Sequence, residues 1–365
     1  GRGVVVGPII SETRSDIFCD NENGPNFLFL NNGDGTFTDV ASEAGIDDRL
    51  QHGRGVALAD FDGDGKTDIV YGNRNGPHRL YLQQDSGGSP GFKDKKILSH
   101  LITSHLIASN EIFEVGQDTL ANFNLLFFRN VATDAFATPS PVRTVIAADF
   151  DNDRTLEVFF NNIAYRGWSA NRLFRVSPRD GADPLIAELN VGEAAEPQGR
   201  GTGGAAMDFD GDGQLDLLVA HGESASQPIS VFKVDRGSSN SWLRVVPRTR
   251  FGAFARGAKV VVHAESGGPQ MRIIDGGLGW RQPDPASRLL SDWSAGKDAA
   301  TGVEVYWPDG GKVTRLLDVS DVNSVLEIPY PANGEDKQTT EETQVGNWEL
   351  LGPLLHLLSN GFLSI

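Results

Sequence analysis

The sequence predicts an all-β protein in which β-propeller blades are followed by a small antiparallel β domain. Two observations carry this prediction. A unit of strand, acidic turn and strand recurs, and its last acidic residue falls at positions 16, 68, 157 and 216. Later in the chain, apolar and polar residues alternate in the manner of half-buried strands. A repeat of roughly 50 to 60 residues built from short strands has the size of a four-stranded propeller blade.

Three copies of the repeat carry the same acidic turn, with carboxylates at its first, third, fifth and ninth positions. These turns span residues 60–68, 149–157 and 208–216, and we name them loop 1, loop 2 and loop 3. A short apolar segment precedes each loop and another follows it, such as Ile69-Val70-Tyr71 after loop 1. The repeating unit is therefore strand, loop, strand.

A fourth copy opens the sequence and has lost most of its acidic residues. Residues 1–18 match residues 53–70 in their pattern. Pro8, Ile10 and Glu12 take the first three carboxylate positions, and Asp16 keeps the last. We expect this unit to bind no metal and to keep the blade fold, with further blades upstream. The residues expected to pack it are Val4, Val6, Ile17 and Phe18.

The chain divides into three regions. Residues 1–237 hold the propeller repeats, which are interrupted at 95–128 by a stretch without the turn signals that surround it; we expect an insertion there. Residues 238–330 hold the alternating segments of the small β domain. Residues 331–365 begin as a polar, acidic segment, and we expect a disordered or aberrant tail.

The spacing of the carboxylates predicts that the loops bind calcium. Ca²⁺ takes about six to eight oxygen ligands and mixes carboxylates with backbone carbonyls. Carboxylates at alternate positions of a tight turn point inward, the seventh residue offers its carbonyl, and the ninth closes the shell. Without a cation, four such carboxylates would repel one another. The predicted ligands are Asp60, Asp62, Asp64, the Lys66 carbonyl and Asp68 in loop 1; Asp149, Asp151, Asp153, the Thr155 carbonyl and Glu157 in loop 2; and Asp208, Asp210, Asp212, the Gln214 carbonyl and Asp216 in loop 3.

The sixth residue distinguishes loop 2 from the other two loops. The chain must reverse there with a positive φ, which glycine adopts without strain. Loops 1 and 3 have Gly65 and Gly213 at this position, whereas loop 2 has Arg154. We therefore expect loop 2 to bind calcium most weakly. The loops are not EF-hands, because that motif needs Glu at position 12, where these loops have apolar or aromatic residues.

Composition and charge argue against other classes of protein. The formal net charge of −17 argues against nucleic acid as a partner, because phosphate binding rests on clustered Lys and Arg. The sequence has no run of about 18 apolar residues, so we predict no membrane span. Cys19 is the single cysteine, which makes an intrachain disulfide impossible.

An enzymatic function has little support in the sequence. The seven histidines are scattered along the chain. His221 and Glu223 would suit a general-base pair, although a histidine at a strand end is more often structural. The sequence contains no nucleophile elbow, phosphate-binding loop or dinucleotide-binding motif. We predict a protein that is not an enzyme and acts by binding.

These motifs resemble known repeat families. The loops with their flanking strands are similar to the FG-GAP repeats of integrin α-chain propellers, and residues 26–46 are similar to the related VCBS repeat. Residues 256–260, 274–277 and 305–310 are similar to the ASPIC/UnbV domain. The combination resembles the cartilage acidic protein family, from which the chain departs at 95–128, at 278–300 and after residue 346.

The resemblance implies a secreted, calcium-binding protein of the extracellular matrix that acts by protein–protein binding. Members of the family are associated with antagonism of the Nogo receptor in axon guidance. The implied partner is therefore an extracellular or cell-surface protein, with the Nogo receptor as the candidate that the family suggests.

A calcium-dependent, lectin-like propeller that binds carbohydrate is the alternative. Calcium propellers also occur among lectins, and aromatic rings can stack on sugars. The candidate rings are Tyr71, Tyr81, Tyr165 and Trp168. We expect these rings to pack between blades, where their apolar area is buried.

Overall fold

The computed structural model describes residues 1–11, 13–84, 127–165, 167–222, 226–234, 240–265, 268–274, 288–290, 300–331 and 337–338. Nearly all of the regular structure in these residues is β, and the prediction of an all-β fold is confirmed. The short helix α1 (Asp134–Ala137) and two 3-10 turns, Gly192–Ala195 and Val319–Asp321, are the helical elements of this part of the chain.

In the described residues of the repeat region, four antiparallel sheets follow one another along the chain. The first comprises β1 (Gly3–Gly7), β2 (Asp16–Asp20), β3 (Phe27–Asn31) and β4 (Phe37–Asp39). The second comprises β5 (Gly53–Ala59), β6 (Asp68–Asn73), β7 (Arg79–Gln84) and β8 (Phe127–Asn130). The third comprises β9 (Val142–Ala148), β10 (Leu156–Asn162), β11 (Arg172–Arg179) and β12 (Ala182–Leu189). The fourth comprises β13 (Gly201–Met207), β14 (Asp216–His221) and β15 (Ser230–Phe232).

The sheets contact one another through their first strands. β1 contacts β5, β5 contacts β9, and β9 contacts β13. A separate cluster of buried side chains lies between each pair of consecutive sheets. Between the first and second sheets, the rings of Phe18 and Tyr71 lie 5.7 Å apart. In the cluster between the second and third sheets, the rings of Phe160 and Phe174, both from the third sheet, lie 5.8 Å apart. Sheets that succeed one another in this way fit the blades of a propeller.

The first sheet departs from its expected packing in one respect. Val5 and Phe18 are buried, but Val4 and Val6 are exposed to 51% and 44%. Successive side chains of a strand point to opposite faces, so Val4 and Val6 lie on the face away from the second sheet. The expectation that Val4 and Val6 pack this sheet is wrong for the described residues.

After the fourth sheet, the described residues form two further sheets. One contains β16 (Trp242–Pro247) between β19 (Arg288–Leu290) and β22 (Ser324–Ile328). The other runs in the order β18 (Gln270–Ile273), β17 (Lys259–Ala264), β20 (Ala300–Tyr306), β21 (Lys312–Leu316), β23 (Lys337–Gln338). The pairs β16–β22 and β21–β23 are parallel, unlike the purely antiparallel arrangement that we expected. A parallel pair needs a long connection, and the long segment between β16 and β22 provides one.

Two predicted regions are mostly outside the described residues. β8 pairs with β7 from Phe127 onward, so the last two residues of the predicted insertion 95–128 belong to the second sheet. The remainder, 95–126, lies outside the described residues, as does most of the predicted tail. Among the residues that the structure describes, no helix has the length and apolar character needed to cross a membrane.

Candidate metal centres

Each acidic loop is the turn between the first and second strands of its sheet. Loop 1 joins β5 to β6, loop 2 joins β9 to β10, and loop 3 joins β13 to β14. The ninth residue is the first residue of the second strand in loops 1 and 3 and the second residue of that strand in loop 2. In each loop it pairs with the last residue of the first strand, as in Ala59↔Asp68 and Ala148↔Glu157. Equivalent places in three sheets therefore carry the three loops.

The first carboxylate of each loop fixes the turn by accepting backbone N–H groups from within it. Asp60 accepts from Gly63 N at 2.8 Å and from Gly65 N at 2.9 Å. In loop 2, Asp149 accepts from Asp153 N at 3.0 Å and from Arg154 N at 2.9 Å. In loop 3, Asp208 accepts from Gly211 N at 2.7 Å and from Gly213 N at 3.2 Å. Asp is suited to this role because its short side chain hydrogen-bonds nearby backbone.

The ninth carboxylate closes the loop from the other side. It accepts the backbone N–H of the second loop residue: Phe61 donates to Asp68 at 2.8 Å, Phe150 to Glu157 at 3.1 Å, and Phe209 to Asp216 at 3.0 Å. The three acceptors are all buried. A buried carboxylate at this position therefore has a structural role whether or not it also binds a metal.

The structure brings together three of the four predicted carboxylates in each loop. One oxygen from each of positions 1, 3 and 9 lies within 4.8 Å of the others. The groups are Asp60, Asp62 and Asp68; Asp149, Asp151 and Glu157; and Asp208, Asp210 and Asp216. The position-5 residues Asp64, Asp153 and Asp212 are not in these groups and instead accept the N–H of Lys66, Thr155 and Gln214, at 2.9, 2.8 and 2.9 Å.

Burial and mutual repulsion disfavour the charged form of these carboxyls. Burial, followed by repulsion from the other loop carboxylates, raises the pKa of Asp60 to about 6. Burial raises the pKa of Asp68 and of Asp149 well above the ordinary aspartate range. It also raises the pKa of Glu157 to about 7, although the Arg175 guanidinium opposes that shift. The loops are therefore electrostatically unfavourable on their own, and a cation between the carboxylates would relieve that cost.

The donor set fits a hard divalent cation. All nine grouped side chains are carboxylates, the ligands that Ca²⁺ prefers. In loop 3, Oδ1 of the buried Asp216 accepts no hydrogen bond from any described residue, while its Oδ2 accepts from Phe209. A buried carboxylate oxygen without a partner is costly, and a bound cation would satisfy it.

The backbone at the sixth position has the conformation that the sequence predicts. Gly65 and Gly213 have φ values of +81° and +90°, and Arg154 has φ of +74°. Arg154 is thus a non-glycine residue in the left-handed region. This geometry agrees with the reason for expecting weaker calcium binding at loop 2, which stays a prediction.

The first repeat unit contains no comparable group in its described residues. The one carboxylate that it retains, Asp16, is already engaged by backbone. Its Oδ2 accepts from Ile10 N at 2.7 Å and Ser11 N at 3.0 Å, and its Oδ1 accepts from Asn31 N at 2.9 Å. Glu12 lies outside the described residues. Asp16 therefore has the structural role that the ninth carboxylate has in the three loops, and the absence of metal from this unit stays a prediction.

Sequence reasoning missed basic side chains that contact the loops from other parts of the chain, among them Arg175 and Lys233. Arg175 lies opposite Glu157 across β10 and β11 and contacts carboxylates of loop 2. Lys233 follows β15 and contacts Asp210 and Asp212 of loop 3. Both residues lie directly across the sheet from the ninth loop position. A search for basic residues at that place would have found them, but it requires knowledge of the strand register.

The comparisons with known proteins agree with this geometry. A family model described as an FG-GAP-like repeat matches residues 13–98, which include loop 1. Cartilage acidic protein 1 of Mus musculus is 56% identical over 347 residues, covering 95% of this chain and 48% of the relative. The chain belongs to the cartilage acidic protein family. Cartilage acidic protein 1 of Xenopus tropicalis is 55% identical over 94% of this chain and 47% of its own length. The Homo sapiens protein is 55% identical over 95% of this chain and 46% of its own length.

The chain spans about half the length of these cartilage acidic protein relatives. Among solved structures, a C-terminal fragment of the pilus adhesin SpaC from Lactobacillus rhamnosus GG aligns with 48% of this chain and 75% of that chain. Its TM-score is 0.17 at 12% identity, which is too low a similarity to bear on the fold.

Proposed function

We propose that this member of the cartilage acidic protein family is an extracellular, calcium-stabilised protein that acts by binding other proteins and has no catalytic activity. The observation that carries the proposal is the recurrence of one carboxylate group at the same turn of three successive sheets. A plain surface turn has no need for three converging carboxylates, because their repulsion is unfavourable.

Calcium supplies, when bound, the positive charge that the grouped carboxylates lack. The carboxylates at positions 1 and 9 also accept backbone N–H groups of the loop, which holds them near one another. Extracellular calcium modules bind with dissociation constants of about 10⁻⁴–10⁻³ M. Such sites are filled outside the cell, which agrees with the cartilage name of the relatives.

The contacts of two described histidines, His78 and His221, support a non-enzymatic role. His78 is buried, stacks on Phe160 at 4.5 Å, and contacts Ser140 at 2.9 Å. Its burial lowers its pKa to about 3, so it stays neutral. His221 contacts the Glu196 carboxylate at 3.0 Å and the Pro228 carbonyl. Glu223, the predicted base partner, lies outside the described residues.

The proposed partner is an extracellular or cell-surface protein, and the Nogo receptor is the candidate to examine first. The test is surface plasmon resonance of the full chain over immobilised receptor ectodomain, in about 1 mM calcium and in EGTA. We expect saturable binding in calcium that weakens in EGTA. Absence of binding in calcium would reject this receptor, and equal binding in EGTA would reject the dependence on calcium.

A carbohydrate-binding role is a second candidate, favoured by one surface feature. Tyr71 and Tyr81 are buried and stack at 5.9 Å, as expected for rings between blades. Trp168 is 73% exposed and lines a cavity of about 330 Å³ together with Glu196 and His221. An exposed ring beside polar groups suits a sugar.

A glycan array tests this second candidate. Trp168→Ala should abolish any specific signal, whereas Phe251→Ala, which removes a ring exposed to 90% elsewhere on the surface, should leave it unchanged. Failure of the wild-type chain to bind any glycan would exclude the carbohydrate function.

A further inference from the structure

We propose that Arg175 is a built-in cation of loop 2, so that loop 2 is closed by ion pairs whereas loop 1 depends on calcium. The inference rests on the proposed calcium function, because it concerns which of the three loops respond to the metal. It is drawn from the strand register and from the contacts of one guanidinium group.

Arg175 contacts three different carboxylates of loop 2 with three different nitrogens. Its Nε donates to Glu157 Oε1 at 2.8 Å, and its Nη2 donates to Asp151 Oδ2 at 2.5 Å. Its Nη1 lies 2.9 Å from Asp153 Oδ2. A planar guanidinium suits this role, because its donors are arranged in a fixed fork that matches carboxylate geometry. Two of these three acids, Asp151 and Glu157, belong to the convergent carboxylate group of loop 2.

Loop 1 has an apolar residue where loop 2 has Arg175. The pairing Ile69↔Tyr81 places Leu82 opposite Asp68, as Arg175 is opposite Glu157. Leu82 is buried in the cluster between the second and third sheets. Within loop 1 the basic residue is Lys66, which contacts Asp64 at 2.6 Å, outside the convergent group. Arg272 and Arg129 interact electrostatically with Asp60 and Asp62, but among the described residues neither forms an ion pair with the group. The carboxylates of that group therefore rely more heavily on a metal for their positive charge.

Loop 3 is intermediate between the other two. Lys233 contacts Asp210 and Asp212, the latter at 2.8 Å, but half of its side chain is exposed. An exposed ammonium is a compact, hydrated charge that gains little from such pairs. Asp216 retains a buried oxygen without a hydrogen bond from the described residues. We expect calcium affinity to fall in the order loop 1, loop 3, loop 2.

Calcium at loop 2 requires the guanidinium to move away from the oxygens that it contacts. A cavity of about 690 Å³, lined by Asp151, Glu157, Arg175 and Lys233, has room for the displaced side chain. The ion pairs must still be broken, and a positive charge left nearby would continue to repel the metal. Replacing Arg175 by leucine, the residue of the second sheet, should therefore raise calcium affinity at loop 2 by about tenfold or more.

Hydrogen exchange measured by mass spectrometry on the full chain resolves the loops individually. In wild type, about 1 mM calcium should slow exchange strongly in peptides covering 60–68 and weakly in those covering 149–157. In Arg175→Leu, exchange in peptides covering 149–157 should slow at a much lower calcium concentration than in wild type, about one tenth or less.

Two further variants control the experiment. Arg179→Leu removes a charge from the same strand. The Arg179 side chain donates to the Asp183 carbonyl at 2.6 Å, away from loop 2, so this variant should behave as wild type. Arg175→Lys keeps a charge that cannot span three carboxylates, so it should give an intermediate response. It also keeps the test decisive if Arg175→Leu does not fold.

Two results have different meanings. An equal calcium response of 149–157 in wild type, Arg175→Leu and Arg175→Lys, with 60–68 responding normally, would overturn the role of Arg175 and leave the calcium function standing. No response in 60–68 of the wild-type chain would contradict the calcium function itself, and the inference with it.

Discussion

The Nη2 atom of Arg272, on β18, lies 4.0 Å from Oδ2 of Asp149, the first carboxylate of loop 2. Both side chains are largely buried, with 14% and 2% of their surface exposed. Nearby, Arg154 donates to the Gly268 carbonyl at 2.8 Å, and Asn240 donates to the Asp151 carbonyl at 3.2 Å. Loop 2 is therefore a contact surface for the β region that follows the repeat sheets.

Removing the charge of Arg272 should destabilise the chain. Arg272→Met leaves Asp149 buried without this cation, and losing one partner of a buried ion pair costs about 3–5 kcal/mol. Urea unfolding in EGTA measures the loss. The control is Arg250→Met, which breaks an exposed pair with Asp309 and should change little. Equal effects of the two substitutions would show that Arg272 does not support the loop.

The sixth loop position should tune calcium affinity. Arg154 has φ of +74°, so Arg154→Gly removes a strain of about 1 kcal/mol and should tighten loop 2 by about fivefold to tenfold. Arg154→Ala is the matched control, because it loses the side chain but keeps the backbone strain. Any tightening of calcium binding in Arg154→Gly beyond that in Arg154→Ala therefore comes from relief of the strain. Calorimetric titration compares the two.

The reverse substitution belongs in loop 1. Gly65 has φ of +81°, so Gly65→Arg introduces backbone strain and should weaken calcium binding at loop 1 by a similar factor. A side chain there would enter open space, so the substitution causes no clash. Gly213→Arg is unsuitable, since a Cβ there would lie 2.0 Å from Trp242 Nε1. Unchanged or lower affinity in Arg154→Gly, compared with Arg154→Ala, would contradict the role of φ at this position.

Asp16 and Asp68 should differ in their dependence on calcium. Asp16 accepts three backbone N–H groups, so Asp16→Asn should cost about 1–3 kcal/mol equally in calcium and in EGTA. Asp68→Asn removes a grouped carboxylate and should also abolish the calcium response of loop 1. Thermal melts of both variants give the comparison. A reduced calcium response in Asp16→Asn would indicate that the first unit binds metal after all.

The stability of the calcium-free chain should fall as pH rises. Burial raises the pKa of Asp60 to about 6, above its value of about 4 in an unfolded chain. A raised folded pKa contributes stability that is present below the unfolded value and is lost as pH rises through the folded value. In EGTA, the free energy of unfolding should therefore decrease between about pH 4 and pH 7.

Calcium should oppose this loss, because it stabilises the ionised carboxylates. Urea unfolding across the pH range, with and without calcium, measures both effects. Asp60→Asn, unfolded in urea over the same pH range, provides the control. In EGTA its free energy of unfolding should change less steeply with pH than that of the wild-type chain. Stability that rises with pH in EGTA for the wild-type chain would contradict the raised pKa of Asp60.

The sequence predicts the loops well because their chemistry is local. Carboxylates two residues apart and a positive φ at position 6 follow from short-range spacing. The exclusion of Asp64 from the carboxylate group was not predicted, because its hydrogen bond to Lys66 N competes for the side chain. Arg175 and Arg272 reach the loops from another strand and another sheet, so they become visible only once register and packing are known.

The central claim is that calcium bound at the loops stabilises the fold, and a thermal melt in EGTA and in about 1 mM calcium tests it most directly. With dissociation constants of about 10⁻⁴–10⁻³ M, each filled site adds roughly 0.4–1.4 kcal/mol through linkage. The account predicts a midpoint higher by several degrees in calcium, and a gain that disappears when Asp62 and Asp210 are both replaced by Asn. An identical midpoint in EGTA and in calcium would contradict it.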